Sequence, residues 1–330
     1  MNKMRFAGIM IVALLINQKL QAQGSMVDLI KGGKEDANFL LSGYTAPFIK
    51  SFGSGLNQGW YNTGDTHNLG GFDLTTSVAL ISIPTSDKIF SFNNTDLIDI
   101  QLDGTTSGQG EIPTFFGDSN PTNKTFSFKD PAIPGTFPDP SGVDVPITKV
   151  PVPIANIGIG LPKGIEINIR YLPKMNLGKY GELGLMGLGI KHNIKQYIPV
   201  MKSLPFSLSA FVGVTKFNSS IILDQLLDQK VNFNLWSTTA QLLVSKKLSV
   251  LTIYGGVGYD ITKGNLTLKG SYDLGDGNLP IKDPVDSNQT ANSFRGTAGL
   301  RLKFGPITLH GDYTLKKYSA ITAGFGISVR

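Results

Sequence analysis

Apolar and polar residues alternate with a period of two over the last part of the chain, up to its C-terminus. Between Phe294 and Phe304 every second residue is apolar or small, and the alternation recurs over 307–315 and 321–329. An extended strand produces this pattern, because successive side chains point to opposite faces. Segments of about 9–11 residues, separated by turns such as Gly305-Pro306, have the length of strands that cross a membrane. The pattern therefore predicts an all-β fold, a membrane β-barrel of antiparallel strands.

Long alternating segments also occur earlier in the chain, at 72–83, 205–217, 231–245 and 248–260. Bacterial barrels have short turns at the periplasmic end and long loops outside, so strands can be counted back from the last one. The count gives about 12 strands, in a range of about 10–14. It includes a first strand over Gly55–Thr63, a periplasmic turn at Ser86-Asp87, and a strand between that turn and Asp103. A soluble β-sandwich is the alternative, but its strands average about five or six residues.

Residues 1–22 have the features of a secretory signal peptide. Lys3 and Arg5 precede an uncharged apolar run, Phe6–Ile16, and Leu20-Gln21-Ala22 offers a small residue before a cleavage point. The apolar run is eleven residues long, whereas a transmembrane helix needs about 20. Loss of the three basic residues of this segment lowers the formal net charge from +6 to +3. We therefore expect an exported chain that has no membrane-spanning helix in its mature part.

The segment 23–53 differs from the rest of the chain, because its apolar residues follow helical spacing. Asp36 lies where the N-cap of such a helix is expected, and Pro47 is expected to kink or divide the helix. The residues with this spacing are Ala37, Leu40, Leu41, Tyr44 and Phe48. A barrel of more than about eight strands has a lumen that something must fill or line. We therefore predict a helical plug in the lumen, with positions below the barrel or on the membrane surface as alternatives.

The stretch 103–153 holds nine of the 18 prolines and five phenylalanines. Proline has no N–H to donate to a strand ladder, so this stretch is predicted to be a loop within the barrel domain, 54–330. The strand count places the loop outside. Phenylalanines in a loop need burial, which favours packing of the loop on itself over the barrel mouth. A surface that binds a substrate or a partner is the alternative.

Three stretches of the chain resemble exported barrels of Gram-negative bacteria. They are FLLSGYTAPFIKSFGSGLNQGWYNTGDTHNLGGFDLT (39–75), GLGIKHNIKQYIP (187–199) and GLRLKFGPITLHGDYTLKKYSAITAGFGISVR (299–330). With these stretches the chain is similar to a group of outer-membrane β-barrels of unassigned function. The helical plug before the first strand is similar in organisation to that of the long-chain fatty-acid transporter family. The resemblance implies a location in the cell outer membrane.

Four titratable residues near the C-terminus fall on the polar face of two neighbouring strands. Pairing across the Gly305-Pro306 turn places Arg301 opposite His310, with Lys303 and Asp312 on the same face. In a barrel this face lines the lumen, where polar residues are expected. A charge network that only keeps the lumen hydrated is the alternative. The candidates for the apolar side of a path through the lumen are Tyr44, Phe48 and Phe52 of the plug.

The remaining residue patterns give little support to enzyme chemistry. His67, in a predicted outer turn, and His192, at a strand end, have no visible partner, and Ser328 lies too near a strand end to be an obvious nucleophile for His310. The chain has no cysteine, no HxH or HxxxH pair and no GxxxxGK[ST] element. Thiol chemistry, a metal site and ATP binding are therefore not expected. We predict no enzyme activity, no catalytic residue, no cofactor and no metal.

Together these predictions favour an outer-membrane channel or passive transporter for a small hydrophobic molecule, gated by the N-terminal helix. A structural or adhesive barrel that displays 103–153 to a partner is the alternative, and an outer-membrane enzyme is a further one. The expected partners are outer-membrane lipid, the barrel-insertion machinery and a small hydrophobic ligand. A nucleic acid is not expected, because 30 basic residues against 24 acidic ones are a small excess.

Overall fold

The computed structural model describes residues 29–105, 108–120, 122, 124–143, 149–272 and 280–329. The predicted signal peptide, 1–22, and the first residues of the predicted plug, 23–28, lie outside the described residues. In the described ranges no helix is both long enough and apolar enough to cross a membrane.

One long helix, α1, spans Gly33–Leu56 and precedes the strands. The strands of the described residues are β1 Phe72–Ser82, β2 Ile89–Asn93, β3 Ile100–Leu102, β4 Gln109–Pro113, β5 Thr125–Phe128, β6 Thr136–Pro138, β7 Lys149–Leu161, β8 Ile165–Asn176, β9 Gly181–Asn193, β10 Ser207–Asp224, β11 Gln229–Leu248, β12 Leu251–Lys269, β13 Ser271–Tyr272, β14 Ile281–Lys282, β15 Val285–Phe304, β16 Ile307–Leu315 and β17 Ala320–Val329.

Ten of these strands form one closed antiparallel barrel, in the order β1-β17-β16-β15-β12-β11-β10-β9-β8-β7. β1 pairs with both β17 and β7, so the sheet closes on itself. Closure pairs the backbone groups of the wall within the sheet, which is the condition for a sheet surrounded by lipid. The predicted all-β antiparallel barrel with a helix is therefore confirmed, but with 10 strands and not 12.

Two predicted strands do not belong to the barrel. The predicted first strand, Gly55–Thr63, instead contains the end of α1 and continues as irregular chain. The segment between Ser86-Asp87 and Asp103 forms β2 and β3, which pair in small sheets outside the barrel. The predictions were wrong because period-two spacing identifies an extended segment without identifying its partner strand.

The barrel is apolar outside and polar inside. On β17, Ile321, Phe325 and Ile327 are 42%, 63% and 47% exposed, whereas Thr322 and Ser328 between and beside them are buried. The same alternation of exposure runs along the neighbouring β16. An apolar outer face around a polar interior is the arrangement of a barrel that spans a membrane.

The two ends of the barrel differ in their connections. The end that we name the short-turn end carries the start of β1, the end of β17, the turns 162–164, 249–250 and 305–306, and one longer connection, 194–206. The opposite end, the long-loop end, carries the connections 83–148 and 270–284. The single-turn helix Thr85–Lys88 directly follows β1 at the long-loop end. The predicted grouping of Ser86-Asp87 with the short turns was therefore wrong.

The connection 83–148, which we name the cap, is folded over the barrel where it is described. β2 pairs with β4, and β3, β5 and β6 form a second small sheet. Phe92, Phe126 and Phe137 are buried in the cap, and the ring of Phe126 stacks on both of the others. This aromatic packing gives a proline-rich connection a core of its own. The cap starts and ends earlier than the predicted loop 103–153, because the chain leaves the barrel after Ser82 and returns at Lys149.

α1 packs inside the barrel against β1, β7, β11, β12 and β15. Pro47 does not divide it, since the helix is continuous from Gly33 to Leu56. In the turn before Pro47, the carbonyl oxygen of Tyr44 accepts a hydrogen bond from the Phe115 backbone N–H of the cap at 2.9 Å. The cap thus binds the helix backbone one turn before Pro47.

Asp36 does not cap α1, which begins after Gly32 without a side-chain cap. Its carboxylate instead accepts the backbone N–H groups of Ile98, Asp99 and Ile100 at 2.7, 2.8 and 3.1 Å. The predicted role of Asp36 was therefore wrong. A short acidic side chain near the start of a helix can bind backbone donors of its own helix or of another segment, and here the cap provides them.

Candidate functional site

The N-terminal segment runs through the lumen from the long-loop end to the short-turn end. Near the long-loop end, Ser42 Oγ donates a hydrogen bond to Ser287 Oγ of β15 at 2.7 Å. Near the short-turn end, Thr63 Oγ1 lies 3.1 Å from Ser245 Oγ of β11. The plug of the described structure is therefore α1 together with the segment 57–71, and it extends beyond the predicted limit at residue 53.

Six phenylalanines from three parts of the molecule meet near the long-loop end. This aromatic cluster consists of Phe48 and Phe52 of α1, Phe217 of β10, Phe233 of β11, and Phe115 and Phe116 of the cap. The ring centroids of Phe52 and Phe217 are 4.9 Å apart, and those of Phe48 and Phe115 are 5.3 Å apart. Phe52 is buried, whereas Phe48, Phe115 and Phe116 are half-buried. The cluster thus joins plug, wall and cap, and keeps some apolar surface accessible.

Trp60 fills the lumen beyond the end of α1. Its ring centroid lies 5.5 Å from that of Phe211 and 3.5 Å from the guanidinium carbon of Arg170, a cation–π contact. Two wall glycines make room for this aromatic pair. A Cβ at Gly213 or at Gly189 would lie 2.8 Å from the Phe211 ring, and 2.9 or 3.1 Å respectively from the Trp60 ring. A side chain at either position would press on both rings, so the glycines leave room for Phe211 and Trp60 together.

Three buried cations of the barrel meet the C-terminal end of α1, which has no basic residue in its own last turn. The donors are Arg170, Arg295 and Lys316, and their acceptors are the carbonyl oxygens of Leu56, Asn57 and Ser54, at 2.7, 2.8 and 3.2 Å respectively. Carbonyl oxygens at this end of a helix lack helical partners, and the helix dipole is negative there. The barrel therefore satisfies the helix end with positive charge and holds it in place.

Asp260 of β12 is the carboxylate that neutralises two of these cations. Its oxygens lie 3.3 Å from Arg295 Nη1 and 2.7 Å from Lys316 Nζ. The side chains of Asp260, Arg295 and Lys316 are 6%, 2% and 1% exposed. In such surroundings water screens charges weakly, so the pairing is strong and an unpaired charge is costly. The charge balance at the end of α1 therefore depends on Asp260.

A second ion network holds the plug at the short-turn end. His67 Nδ1 lies 2.8 Å from Glu166 Oε2, and His67 Nε2 lies 3.1 Å from Ser328 Oγ. Lys191 Nζ lies 2.9 Å from the other Glu166 oxygen. The serine, histidine and carboxylate have the spacing of a hydrolase triad, but Ser328 is 2% exposed and Glu166 is shared with Lys191. We interpret the network as a tie between plug and wall. The predicted position of His67 in an outer turn was wrong.

The four predicted residues of the polar wall all face the lumen, and three of them bond to residues outside this set. The strand register pairs Arg301 with His310. Arg301 Nη2 lies 3.6 Å from Asp73 Oδ2. Asp312 accepts a hydrogen bond from Tyr254 Oη at 2.8 Å, and Lys303 donates one to Ser328 Oγ at 3.3 Å.

The other three predicted site residues belong to the plug. The hydroxyl of Tyr44 donates a hydrogen bond to the Ser141 carbonyl oxygen of the cap at 3.0 Å, and Phe48 and Phe52 belong to the aromatic cluster. A ligand-lining role for both groups of residues stays a prediction.

A cavity of about 220 Å³ lies on the side of α1 opposite the aromatic cluster. Lys50 and Ser54 of the helix line it, together with Asp260 and Thr262 of β12, residues 290–293 of β15 and the turn 316–318. The wall is low here, because β15 pairs with β16 only from Gly296 onward. The polar lining indicates a space for water.

The base of the cap is fastened beside this low wall. Asp87 accepts a hydrogen bond from the Tyr318 hydroxyl and forms an ion pair with Lys317 Nζ at 3.0 Å. Burial by itself raises the pKa of Asp87, but the hydrogen bonds from Tyr318 and Lys317 outweigh it and hold this pKa below its ordinary value. The charged form of Asp87 is therefore favoured, and it ties the cap to the turn between β16 and β17.

Sequence reasoning missed the residues that fasten the plug. They are Trp60, Arg170, Glu166, Lys191, Asp260, Arg295 and Lys316. One signal for some of them was present, because charged residues that alternate with isoleucine in IEINIRY (165–171) must point into the lumen of a barrel. Their partners on the plug carry no such signal. Within the described ranges, no group of three or more histidine, aspartate or glutamate residues could hold a metal ion.

Several solved structures are similar to this chain at low TM-scores. One is Ail, the attachment invasion locus protein of Yersinia pestis, with a TM-score of 0.27 and 11% identity; the match covers 79% of this chain and 98% of that chain. Another is the translocator domain of the autotransporter NalP from Neisseria meningitidis, with a TM-score of 0.31 and 11% identity, covering 86% of this chain and 93% of that chain. The third is the Pseudomonas putida toluene transporter TodX, with a TM-score of 0.25 and 10% identity, covering 78% of this chain and 89% of that chain. At these scores the likenesses carry no conclusion about function.

The resemblance to the long-chain fatty-acid transporter family stays a prediction. No curated protein sequence matches the chain. Residues 1–329 match the family described as "Family of unknown function (DUF6588)". Because the match extends over nearly the whole chain, the protein belongs to this family.

Proposed function

We propose that the protein is an outer-membrane channel or passive transporter for a small hydrophobic molecule, closed in the described state by α1 and the segment 57–71. The aromatic cluster carries the proposal, because partly exposed phenylalanines of the plug and cap meet buried ones of the wall. A small apolar molecule gains free energy by leaving water for such a surface. Arg301, Lys303, His310 and Asp312 form the polar wall farther along the path. The proposal assigns no catalytic role and no cofactor.

The short-turn end is assigned to the periplasm and the long-loop end to the cell exterior. Bacterial barrels have short periplasmic turns and longer outer loops. In this barrel the two longest connections, 83–148 and 270–284, lie at one end, and the longest connection at the other end is 194–206. The predicted signal peptide, 1–22, supports export. The proposed partners are the barrel-insertion machinery and the lipid that surrounds the apolar face. With this orientation, the aromatic cluster and the cap lie at the outer mouth, where a molecule arriving from outside meets them first.

The proposed gate consists of α1 and the cap together. Asp36 and Tyr44 of the helix bind cap backbone groups, and Phe115 of the cap binds the Tyr44 carbonyl oxygen. A movement of the helix alone would break these contacts. The cavity beside Lys50 and Ser54 offers the space into which the helix can shift. Ligand contact with the aromatic cluster would favour the shifted state, since a ligand shifts an equilibrium only through its preference for one state.

Replacing Phe48 by serine should weaken the binding of 1-naphthol, a small aromatic probe, about tenfold. The change removes the ring that contacts both Phe115 and Phe233, and an aromatic contact of about 1–1.5 kcal/mol corresponds to roughly that factor. Equilibrium dialysis of the purified protein in detergent measures the affinity. Phe325→Ser, on the lipid-facing side, is the matched control and should bind like the original protein. Equal affinities for the Phe48→Ser variant and the original would remove the aromatic cluster as the binding site.

A second candidate function is adhesion through the cap. Three isoleucines of the cap, Ile89, Ile98 and Ile133, are 53%, 63% and 49% exposed on a folded surface. Apolar residues that form one exposed patch are typical of a contact site, so the adhesive candidate requires these isoleucines to act as one surface. If the cap is adhesive, Ile98→Asp should reduce the attachment of cells that display the protein to octyl-coated beads several-fold. Conductance should stay unchanged, whereas attachment that is insensitive to Ile98→Asp and to Ile133→Asp would argue against adhesion by this surface.

A further inference from the structure

The wall strands β10, β11, β12 and β15 rise well above the rest of the barrel at the long-loop end. They have 18, 20, 19 and 20 residues, whereas β16, β17 and β1 have 9, 10 and 11. The lower outer face of the tall strands is apolar, with Val212, Val257 and Phe294 exposed to 56%, 63% and 81%. Above these residues the outer face changes to polar side chains, arranged in cross-strand rows.

The first row lies directly above the apolar band and is basic. Lys216, Trp236 and Lys263 are direct neighbours across β10, β11 and β12. Lys216 Nζ lies 5.1 Å from the Trp236 ring centroid, and Trp236 is 50% exposed. Within the described residues, neither lysine forms an ion pair with a carboxylate. Tryptophan marks the membrane interface in such barrels, so this row stands at the level of lipid headgroups.

The second row carries one asparagine on each of four adjacent strands. These residues are Asn218, Asn234, Asn265 and Asn288, which pair directly across the sheet. Asn265 Nδ2 donates to Asn288 Oδ1 at 3.0 Å. Asn265 Nδ2 also donates to Asp286 Oδ1 at 2.6 Å, so both of its N–H groups are used. Each carboxamide has two N–H donors and an acceptor oxygen, so the other three amides keep donors that these two bonds do not use. A row of such amides suits the hydroxyl groups of sugars.

We propose that this outer face binds a glycolipid of the outer leaflet whose sugar headgroup carries phosphate groups. Lys216 and Lys263 bind the phosphates, Trp236 packs against a sugar ring or the upper part of an acyl chain, and the asparagine row binds sugar hydroxyls above. The order of the rows selects this occupant, because an apolar band, a cationic row and an amide row match acyl chains, phosphates and sugars in sequence. The inference rests on the proposed outer-membrane orientation and is independent of the gating by α1.

Native mass spectrometry of the purified protein in a neutral detergent tests the proposal. The probes are rough-type lipopolysaccharide, the same glycolipid after removal of its phosphates, and phosphatidylglycerol, which is anionic but lacks a sugar phosphate headgroup of this kind. The variant Lys216→Gln/Lys263→Gln should bind lipopolysaccharide about thirtyfold more weakly, since each lysine near a charged membrane surface adds about a factor of five. Lys246→Gln/Lys247→Gln, on exposed lysines at the short-turn end of β11, is the matched control and should bind like the original protein.

Two further variants separate the roles of charge and sugar contact. Lys216→Arg/Lys263→Arg keeps the charge and should retain binding. Asn234→Ala/Asn265→Ala should weaken binding of lipopolysaccharide but not of phosphatidylglycerol. The proposal is overturned if the dephosphorylated glycolipid or phosphatidylglycerol binds as well as lipopolysaccharide does. The proposal is also overturned if Lys216→Gln/Lys263→Gln and Lys246→Gln/Lys247→Gln bind lipopolysaccharide equally well. None of these outcomes depends on conductance, so they leave the gating proposal to its own test.

Discussion

A cross-link between α1 and β15 should hold the channel closed, and reduction of the cross-link should restore opening. Ser42 Oγ and Ser287 Oγ are 2.7 Å apart, so cysteines at these positions should form a disulfide with little backbone movement. The chain contains no cysteine, so this disulfide would be the only one. In a planar bilayer with 1-naphthol present, the conductance of the Ser42→Cys/Ser287→Cys variant should rise at least about tenfold on reduction, which corresponds to a shift of about 1.4 kcal/mol between closed and open states.

Two more cysteine pairs make the result interpretable. Asn265→Cys/Asn288→Cys links two wall strands on the outer face and should conduct equally when oxidised and reduced. The pair Thr63→Cys/Ser245→Cys fastens the segment 57–71 to β11. The hydroxyl oxygens of Thr63 and Ser245 lie 3.1 Å apart in the original protein. If α1 moves by itself, this second lock leaves conductance intact; if the whole plug moves, it closes the channel. Gating by the helix is excluded if the Ser42→Cys/Ser287→Cys variant conducts equally in both redox states.

The barrel was predictable from the sequence because alternation is a local property of each strand. In β8 the isoleucines at 165, 167 and 169 alternate with Glu166, Asn168 and Arg170, and the structure buries the second set and leaves the first facing outward. A single residue out of phase would reverse every side chain of the strand. The sequence therefore predicts which residues face the lumen without reference to any other strand.

The strand number was not predictable in the same way. β2 and β3 are extended and carry phenylalanine and isoleucine, as a barrel strand does, but their partners are β4 and β5 of the cap. The predicted strand Gly55–Thr63 begins inside α1, and the segment 57–71 after the helix follows the lumen and belongs to no sheet of the described residues. Both outcomes depend on which distant segment is available as a partner, and periodicity carries no information about that choice.

The contacts that fasten the plug were missed for a related reason. Arg295 is 238 positions from Asn57, whose carbonyl oxygen it binds. Gly189 and Gly213 leave room for the rings of Phe211 and Trp60, and Trp60 is far from both glycines in the sequence. Taken alone in the sequence, each residue of such a pair looks like an ordinary residue of its own segment and does not indicate its partner. Only the closed barrel, with the N-terminal segment threaded through it, brings the members together.

The substitution Asp260→Asn should lower the free energy of unfolding by about 3–5 kcal/mol. Asparagine keeps the shape of the side chain but removes the charge, which leaves Arg295 and Lys316 buried at the end of α1 without their carboxylate. Urea unfolding in lipid vesicles measures the difference. Asp283→Asn is the matched control, since Asp283 pairs with Lys269 at 3.2 Å on the surface, where both side chains are more than a third exposed. A surface pair contributes at most about 1 kcal/mol.

A second substitution shows whether the loss comes from uncompensated charge. Adding Lys316→Met to Asp260→Asn removes one of the two orphaned cations and should recover part of the stability, a non-additivity expected for residues that share one network. A double variant as unstable as the sum of the single ones would mean that packing at this position, and not charge, accounts for the loss. If Asp260→Asn destabilises no more than Asp283→Asn, the ion pairs of Arg295 and Lys316 with Asp260 do not hold the end of α1. Closure of the lumen would then depend on the aromatic cluster and on the contacts between α1 and the cap.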